Sequence, residues 1–169
     1  MAALTNYTTY AAVRACLGVS VKELSDETLA LENYVKQFEL DMNDVDSGAG
    51  QVLAQYEAIK VITAGSRTET QQRYYDVVGL LASYHVGVQC LGTVEMFGPK
   101  RISDGRAEVE RGPDAWDRIA GALNTSYSTL LRRLKALLLT LVPDAEIAAK
   151  PARVFAVGVG LGTDPVTGA

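Results

Sequence analysis

The sequence predicts an all-α fold: a helical bundle with one long C-terminal helix, a polar hairpin-like excursion and an extended C-terminal tail. Three observations predict it. Apolar residues recur at spacings of three and four through most of positions 1–142. A polar stretch, 98–112, interrupts that pattern once. Past Pro143 the period changes to two, with Val157, Val159 and Leu161 alternating with Gly158, Gly160 and Gly162. The chain therefore divides into a bundle domain, 1–142, and a tail, 143–169.

The first helix is expected over Thr8–Gly18. A threonine opens it, glycine stands where helices commonly stop, and Tyr10, Val13 and Leu17 share one face. Ser25-Asp26-Glu27 opens a second, its acids suited to the positive end of the helix dipole. Leu31, Val35, Phe38 and Met42 carry that helix to about Asp44. The closely spaced acids that follow, up to Gly50, read as a solvated loop. Gln51 onward is ambiguous between helix and strand, with a helix ending at Gly65 favoured. Thr68–Leu91 shows a clear helical period, in which Gly79 and Gly87 each weaken the helix by about 1 kcal/mol but permit close packing. After Gly98-Pro99-Lys100, the stretch to Gly112 carries the turn signal Asp104-Gly105 and fits a two-stranded hairpin. Pro113 suits the first turn of a last helix running to Val142, about 40 Å long. That helix is expected to be the spine of the domain, packed against the helices near 27–43 and 68–92.

Composition excludes several functions. At 48% hydrophobic and 21% charged the chain is globular in character. A net charge of −4 and a pI near 5.0 argue against a basic nucleic-acid binder. No run approaches the roughly 18–20 apolar residues of a membrane span, and the opening Met1–Tyr7 lacks a signal-peptide pattern, so no membrane partner and a cytosolic origin are expected.

Chemical motifs were sought and fail on their spacing. An EF-hand read from Asp41 has Val45 at position five; read from Asp44 it has Ala49 at six and Gln55 at twelve. The glycines at 158, 160 and 162 lack the following helix and acid of a dinucleotide site. His85 lies on an apolar stripe, and Ser83, two residues away, cannot face it on a helix; a core or interface histidine is expected. Cys16 and Cys90 lack metal spacing and read as small buried apolar residues. The expectation is no enzyme, no catalytic residue, no cofactor and no metal.

Two surfaces remain as candidates for binding. Lys100, Arg101, Asp104, Arg106, Glu108, Glu110 and Arg111 mix both signs, which suits an ion-pair network at a subunit or tail interface better than a phosphate patch. In the tail, Arg153, Val154, Phe155, Val157, Val159 and Leu161 form a strand with no sheet to join in a helical domain, so its partner is expected in another chain.

Three phrases carry a family resemblance. Tyr7–Val19 (YTTYAAVRACLGV) followed by Leu24–Leu29 (LSDETL) resembles the start of head–tail connector proteins of tailed bacteriophages, also called adaptor or head-completion proteins. Arg101–Arg111 (RISDGRAEVER), set between two helices, is similar to a segment common in them. The resemblance implies a structural virion protein at the head–tail junction, made in the host cytoplasm. Such proteins form a homo-oligomeric ring, typically of twelve copies, below the portal protein. The ring extends the DNA channel, lets DNA pass without sequence-specific binding, and presents a docking surface to tail or nozzle proteins. The resemblance also makes the portal the partner of the C-terminal tail. The alternative is a small helical scaffold or regulatory protein that binds a partner through that tail.

Overall fold

The structure, a computed structural model, describes residues 3–47, 49–97, 101–103, 108–110, 115–143 and 145. It is an all-α bundle of six helices among the described residues, with a two-stranded hairpin between the last two. The helices are α1 (Tyr10–Leu17), α2 (Asp26–Leu29), α3 (Glu32–Val45), α4 (Gln51–Lys60), α5 (Glu69–Phe97) and α6 (Ala115–Leu141). The hairpin pairs β1 (Arg101–Ser103) with β2 (Glu108–Glu110).

The ends of α1 and α5 follow from local chemistry. The Ala12 amide donates to Thr9 Oγ1 at 3.1 Å, and Gly18 closes α1 at φ 64°, a left-handed conformation glycine adopts without strain. Thr68 and Gln71 cap α5 reciprocally: the Gln71 amide donates to Thr68 Oγ1 and the Thr68 amide donates to Gln71 Oε1. The helix expected over 68–91 continues to Phe97.

Two boundaries differ from expectation. The second helix is broken, with Leu31 in extended conformation between α2 and α3. In one unbroken helix Leu29 would lie about 120° around the axis from Val35; the break lets Leu29 and Val35 both bury and leaves Leu31 53% exposed. Ser25 still caps α2, accepting from the Thr28 amide, and Arg14 ties α1 to it by donating to the Leu24 carbonyl and the Asp26 carboxylate. The next helix, α4, stops at Lys60 rather than Gly65. The β-branched run Val61-Ile62-Thr63 disfavours continuation. Arg67 replaces the missing helical bonds, donating to the Lys60 and Ile62 carbonyls.

The loop before α4 is also a correction. Asp46 is fully buried rather than solvated. Its two carboxylate oxygens accept from the Gly50 amide at 3.2 Å and the Val52 amide at 2.9 Å, holding the first turn of α4 against the end of α3.

The spine is α5, not α6. Along α5, Leu81, Ala82, Ser83, His85 and Val86 are all buried, more than one helical stripe can hold. It packs against α1, α3, α4 and α6, whereas α6 packs chiefly along α5. The stripe expected on α6 is in place, with Leu123, Tyr127, Leu130, Leu131, Leu134 and Leu138 buried. Among the described residues no helix is long and apolar enough to cross a membrane. The tail residues other than Pro143 and Ala145 lie outside the described ones.

Gly79 and Gly87 of α5 should respond oppositely to alanine. At Gly79 a Cβ would sit 3.1 Å from the Tyr7 carbonyl oxygen. That backbone is pinned, because the Tyr7 hydroxyl donates to Glu39 and its ring meets Phe38 edge-on. At Gly87 the nearest atom is a Leu123 methyl at 3.7 Å, an ordinary contact. Gly87→Ala is expected to be neutral or to gain up to about 1 kcal/mol from helix propensity. Gly79→Ala is expected to lose stability despite the same propensity gain, by about 1–2 kcal/mol. Urea unfolding of the two variants checks the opposite signs.

Candidate functional site

The hairpin places part of the first predicted interface. Arg101 pairs with Glu110, Ile102 with Val109 and Ser103 with Glu108 across the antiparallel ladder. The register thus sets a cationic residue directly opposite an acidic one. Lys100, Asp104, Arg106 and Arg111 lie outside the described residues, as do Arg153, Val154, Phe155, Val157, Val159 and Leu161.

A buried polar cluster joins α3, α5 and α6. His85 of α5 is fully enclosed. Its ring meets Phe38 of α3 edge-on at 5.6 Å and Tyr127 of α6 at 6.0 Å. Its Nε2 lies 2.7 Å from the Gln89 side-chain amide nitrogen, in hydrogen-bond contact. Nδ1 faces the Asp41 carboxylate of α3 at 3.5 Å, and Asp41 also accepts from Gln37 at 2.9 Å. Desolvation pushes the His85 pKa down to about 4, so the ring is neutral at pH 7. Burial, with the Asp41 carboxylate adding to it, pushes the Tyr127 phenol up. Ser83 is engaged elsewhere, donating to the Gly79 carbonyl and pairing with the Thr8 hydroxyl. The cluster is structural: it fixes how α3, α5 and α6 meet. His85 was legible as a core residue from its apolar stripe, but Asp41 and Tyr127 come from other helices, and nothing local marked them as its neighbours.

The cysteines are structural as well. Cys90 is buried and Cys16 half-buried, both are free, and desolvation raises both thiols. Among the described residues no group of three His, Cys, Asp or Glu could hold a metal ion.

The solvent side of the bundle carries an open furrow between α5 and α6. One part, about 490 Å³, has Val77, Ala136 and Leu137 along its floor and Arg73, Asp76 and Arg133 around it. A second depression of about 330 Å³ shares Arg133 and continues past Leu80, Tyr84 and Thr129. The furrow is mainly apolar in its lining, with Arg73, Arg133 and Asp76 bringing charges of both signs. The sequence reading did not single it out. Its signal was the acid-free run of α6 after Asp117, which carries Arg118, Arg132, Arg133 and Lys135.

Comparison of the chain with protein-family models, with curated proteins and with solved structures found no match.

The enclosed histidine makes stability depend on pH. Its folded pKa lies below its unfolded value near 6.5, so between about 4 and 6.5 the unfolded chain binds the extra proton. The His85 contribution is complete above pH 6.5 and is lost as pH falls towards 4. The shift amounts to about 2 kcal/mol between pH 7 and pH 5. Urea unfolding at both pH values should show this loss in the parent and not in His85→Gln, after subtraction of the carboxylate dependence common to both. Equal slopes for the two proteins would mean that His85 is protonated in the fold.

Proposed function

We propose that this chain is a structural subunit of the head–tail junction of a tailed bacteriophage. It forms a ring below the portal protein, extends the DNA channel and receives tail or nozzle proteins. The copy number that the resemblance implies is twelve. The observation that carries the reading is the polar phrase Arg101–Arg111 and its setting. Its ends form β1 and β2, and it joins two helices of 29 and 27 residues. At about 1.5 Å per residue these are each about 40 Å long, far longer than α1, α3 or α4. A pair of long helices capped by a charged hairpin has more lateral surface than its own core uses.

The N-terminal phrases support the same reading from a different direction. Thr9, Arg14, Gly18, Ser25 and Asp26 all fall within them, and all act as caps or ties between α1 and α2. The resemblance therefore rests on residues that determine local architecture. The assignment to a virion, the portal and the channel comes from the resemblance alone.

The tail is the element that meets the portal in this reading, through backbone hydrogen bonds and the alternate side chains Val157, Val159 and Leu161. Deletion from Pro151 onward should leave the helical content and melting temperature of the bundle unchanged and abolish binding to the portal. Negative-stain images of the full chain mixed with its portal should show rings seated on it, and the truncated chain should show bare portals. Full-affinity binding by the truncated chain would remove the tail from the contact. A full chain that forms no ring, alone or with the portal, would overturn the proposed function.

A further inference from the structure

The folded chain separates its charges onto different faces. On α6, no acid follows Asp117, and Arg132 and Arg133 are exposed. Leu139 lies 44% exposed one to two turns further on, and Leu80 of α5, 46% exposed, lies in the same furrow as Arg133. On the other side, the sequence from Gln37 to Ile59 carries Glu39, Asp41, Asp44, Asp46 and Glu57 with no lysine or arginine. The fold uses Asp41 and Asp46 internally. Asp44 is exposed on α3, with Leu40, 59% exposed, one turn before it, and Glu39 is half-buried, one of its oxygens accepting from the Tyr7 hydroxyl. The α6 side of the furrow is cationic, with Asp76 of α5 the acid among its lining residues, and the α3 edge is acidic with an exposed leucine.

We propose that these two faces dock on each other between copies: the α5–α6 furrow of one copy receives the Leu40–Asp44 edge of α3 of the next. Arg132 and Arg133 meet Asp44 and Glu39, and Leu40 packs against the apolar furrow beside Leu80 and Leu139. The faces are different parts of one chain, so the contact is head-to-tail and propagates from copy to copy. A nucleic-acid backbone fits this furrow less well. It would satisfy the arginines, but it has no apolar surface to cover Leu80, Leu139 and the Val77–Ala136–Leu137 floor. The inference rests on the ring reading only for closure of the chain of contacts; the contact itself stands on these faces.

Two charge-reversed proteins test it. One carries Arg132→Glu and Arg133→Glu; the other carries Leu40→Lys and Asp44→Lys. All four positions are exposed, and circular dichroism should show parental melting for both. In sedimentation at low salt, the parent should associate and each reversed protein alone should associate at least tenfold more weakly. An equimolar mixture should recover assembly, because each junction in an alternating array again pairs opposite charges. Parental assembly without recovery in the mixture would overturn the inference and leave the ring reading standing. So would Arg132→Glu and Arg133→Glu changing only retention on DNA. Recovery into open fibres that never seat on a portal would support the inference and overturn the ring reading. A parent that stays monomeric at every concentration, with and without portal, would overturn both.

Discussion

Everything in this fold depends on enclosing the middle of α5. A helix with Leu81, Ala82, Ser83, His85 and Val86 all buried cannot rest on one neighbour; it must be wrapped. That requirement explains the arrangement of the other elements. The short helices α1, α3 and α4 cover α5 on one side, and α6 runs along another. It also explains where small residues fall. Gly79 lets the Tyr7 backbone approach α5, and Gly87 lies opposite Leu123, Cys16 and Leu17. At Gly79 the helix-propensity cost of about 1 kcal/mol is offset by the close approach of the Tyr7 backbone, whereas at Gly87 a methyl would find ordinary contacts.

Wrapping α5 also forces polar groups into the interior, where each must find a partner. Asp46 is satisfied by two amides of the α4 first turn, so its burial costs less than that of an isolated carboxylate. Tyr74 reaches the same region, donating to the Val52 carbonyl, and Tyr56 donates to the Asn6 carbonyl. The His85–Asp41 pair is the costlier one. Desolvation keeps the imidazole neutral, so the pair is a contact between polar groups rather than a full ion pair. Its value is geometric, because it joins α3 to α5, and the His85 ring also meets Tyr127 of α6.

What the sequence made legible is what is decided within a few residues. Thr9, Gly18, Ser25 and the α6 stripe from Leu123 to Leu138 are placed as their local patterns indicate. The hairpin, signalled by Asp104-Gly105 between polar runs, pairs Ser103 with Glu108. What the sequence hid is set by distant partners. The break at Leu31 exists because Leu29 and Val35 must both reach the core, and Asp46 is buried because Val52 needs a cap. The choice of α5 over α6 as spine could not be read from periodicity, since α6 has the cleaner stripe. A clean stripe marks a helix with one wet face; the hub is the helix whose pattern is blurred by burial on many sides. The interface residues expected from the sequence were identified by composition, and only Arg101, Glu108 and Glu110 of them fall among the described residues.

Net charge describes this molecule poorly. A pI near 5.0 suggests an acidic surface throughout, yet two of the acids, Asp41 and Asp46, are buried within the fold, and α6 beyond Asp117 is purely cationic. Others are neutralised locally: Glu32 by Lys36, Glu57 by Lys60 and Asp26 by Arg14. These pairs are exposed in whole or in part and add little to stability, but they remove charge from the surfaces they occupy. What remains is an uneven distribution, and unevenness rather than net charge determines which surfaces attract each other. A uniformly acidic protein would repel its own copies. One that buries or pairs several of its acids and gathers arginines along one helix carries an uneven surface charge. In the proposed contact between copies, the exposed leucines would supply affinity that salt does not screen, leaving charge to set direction and register.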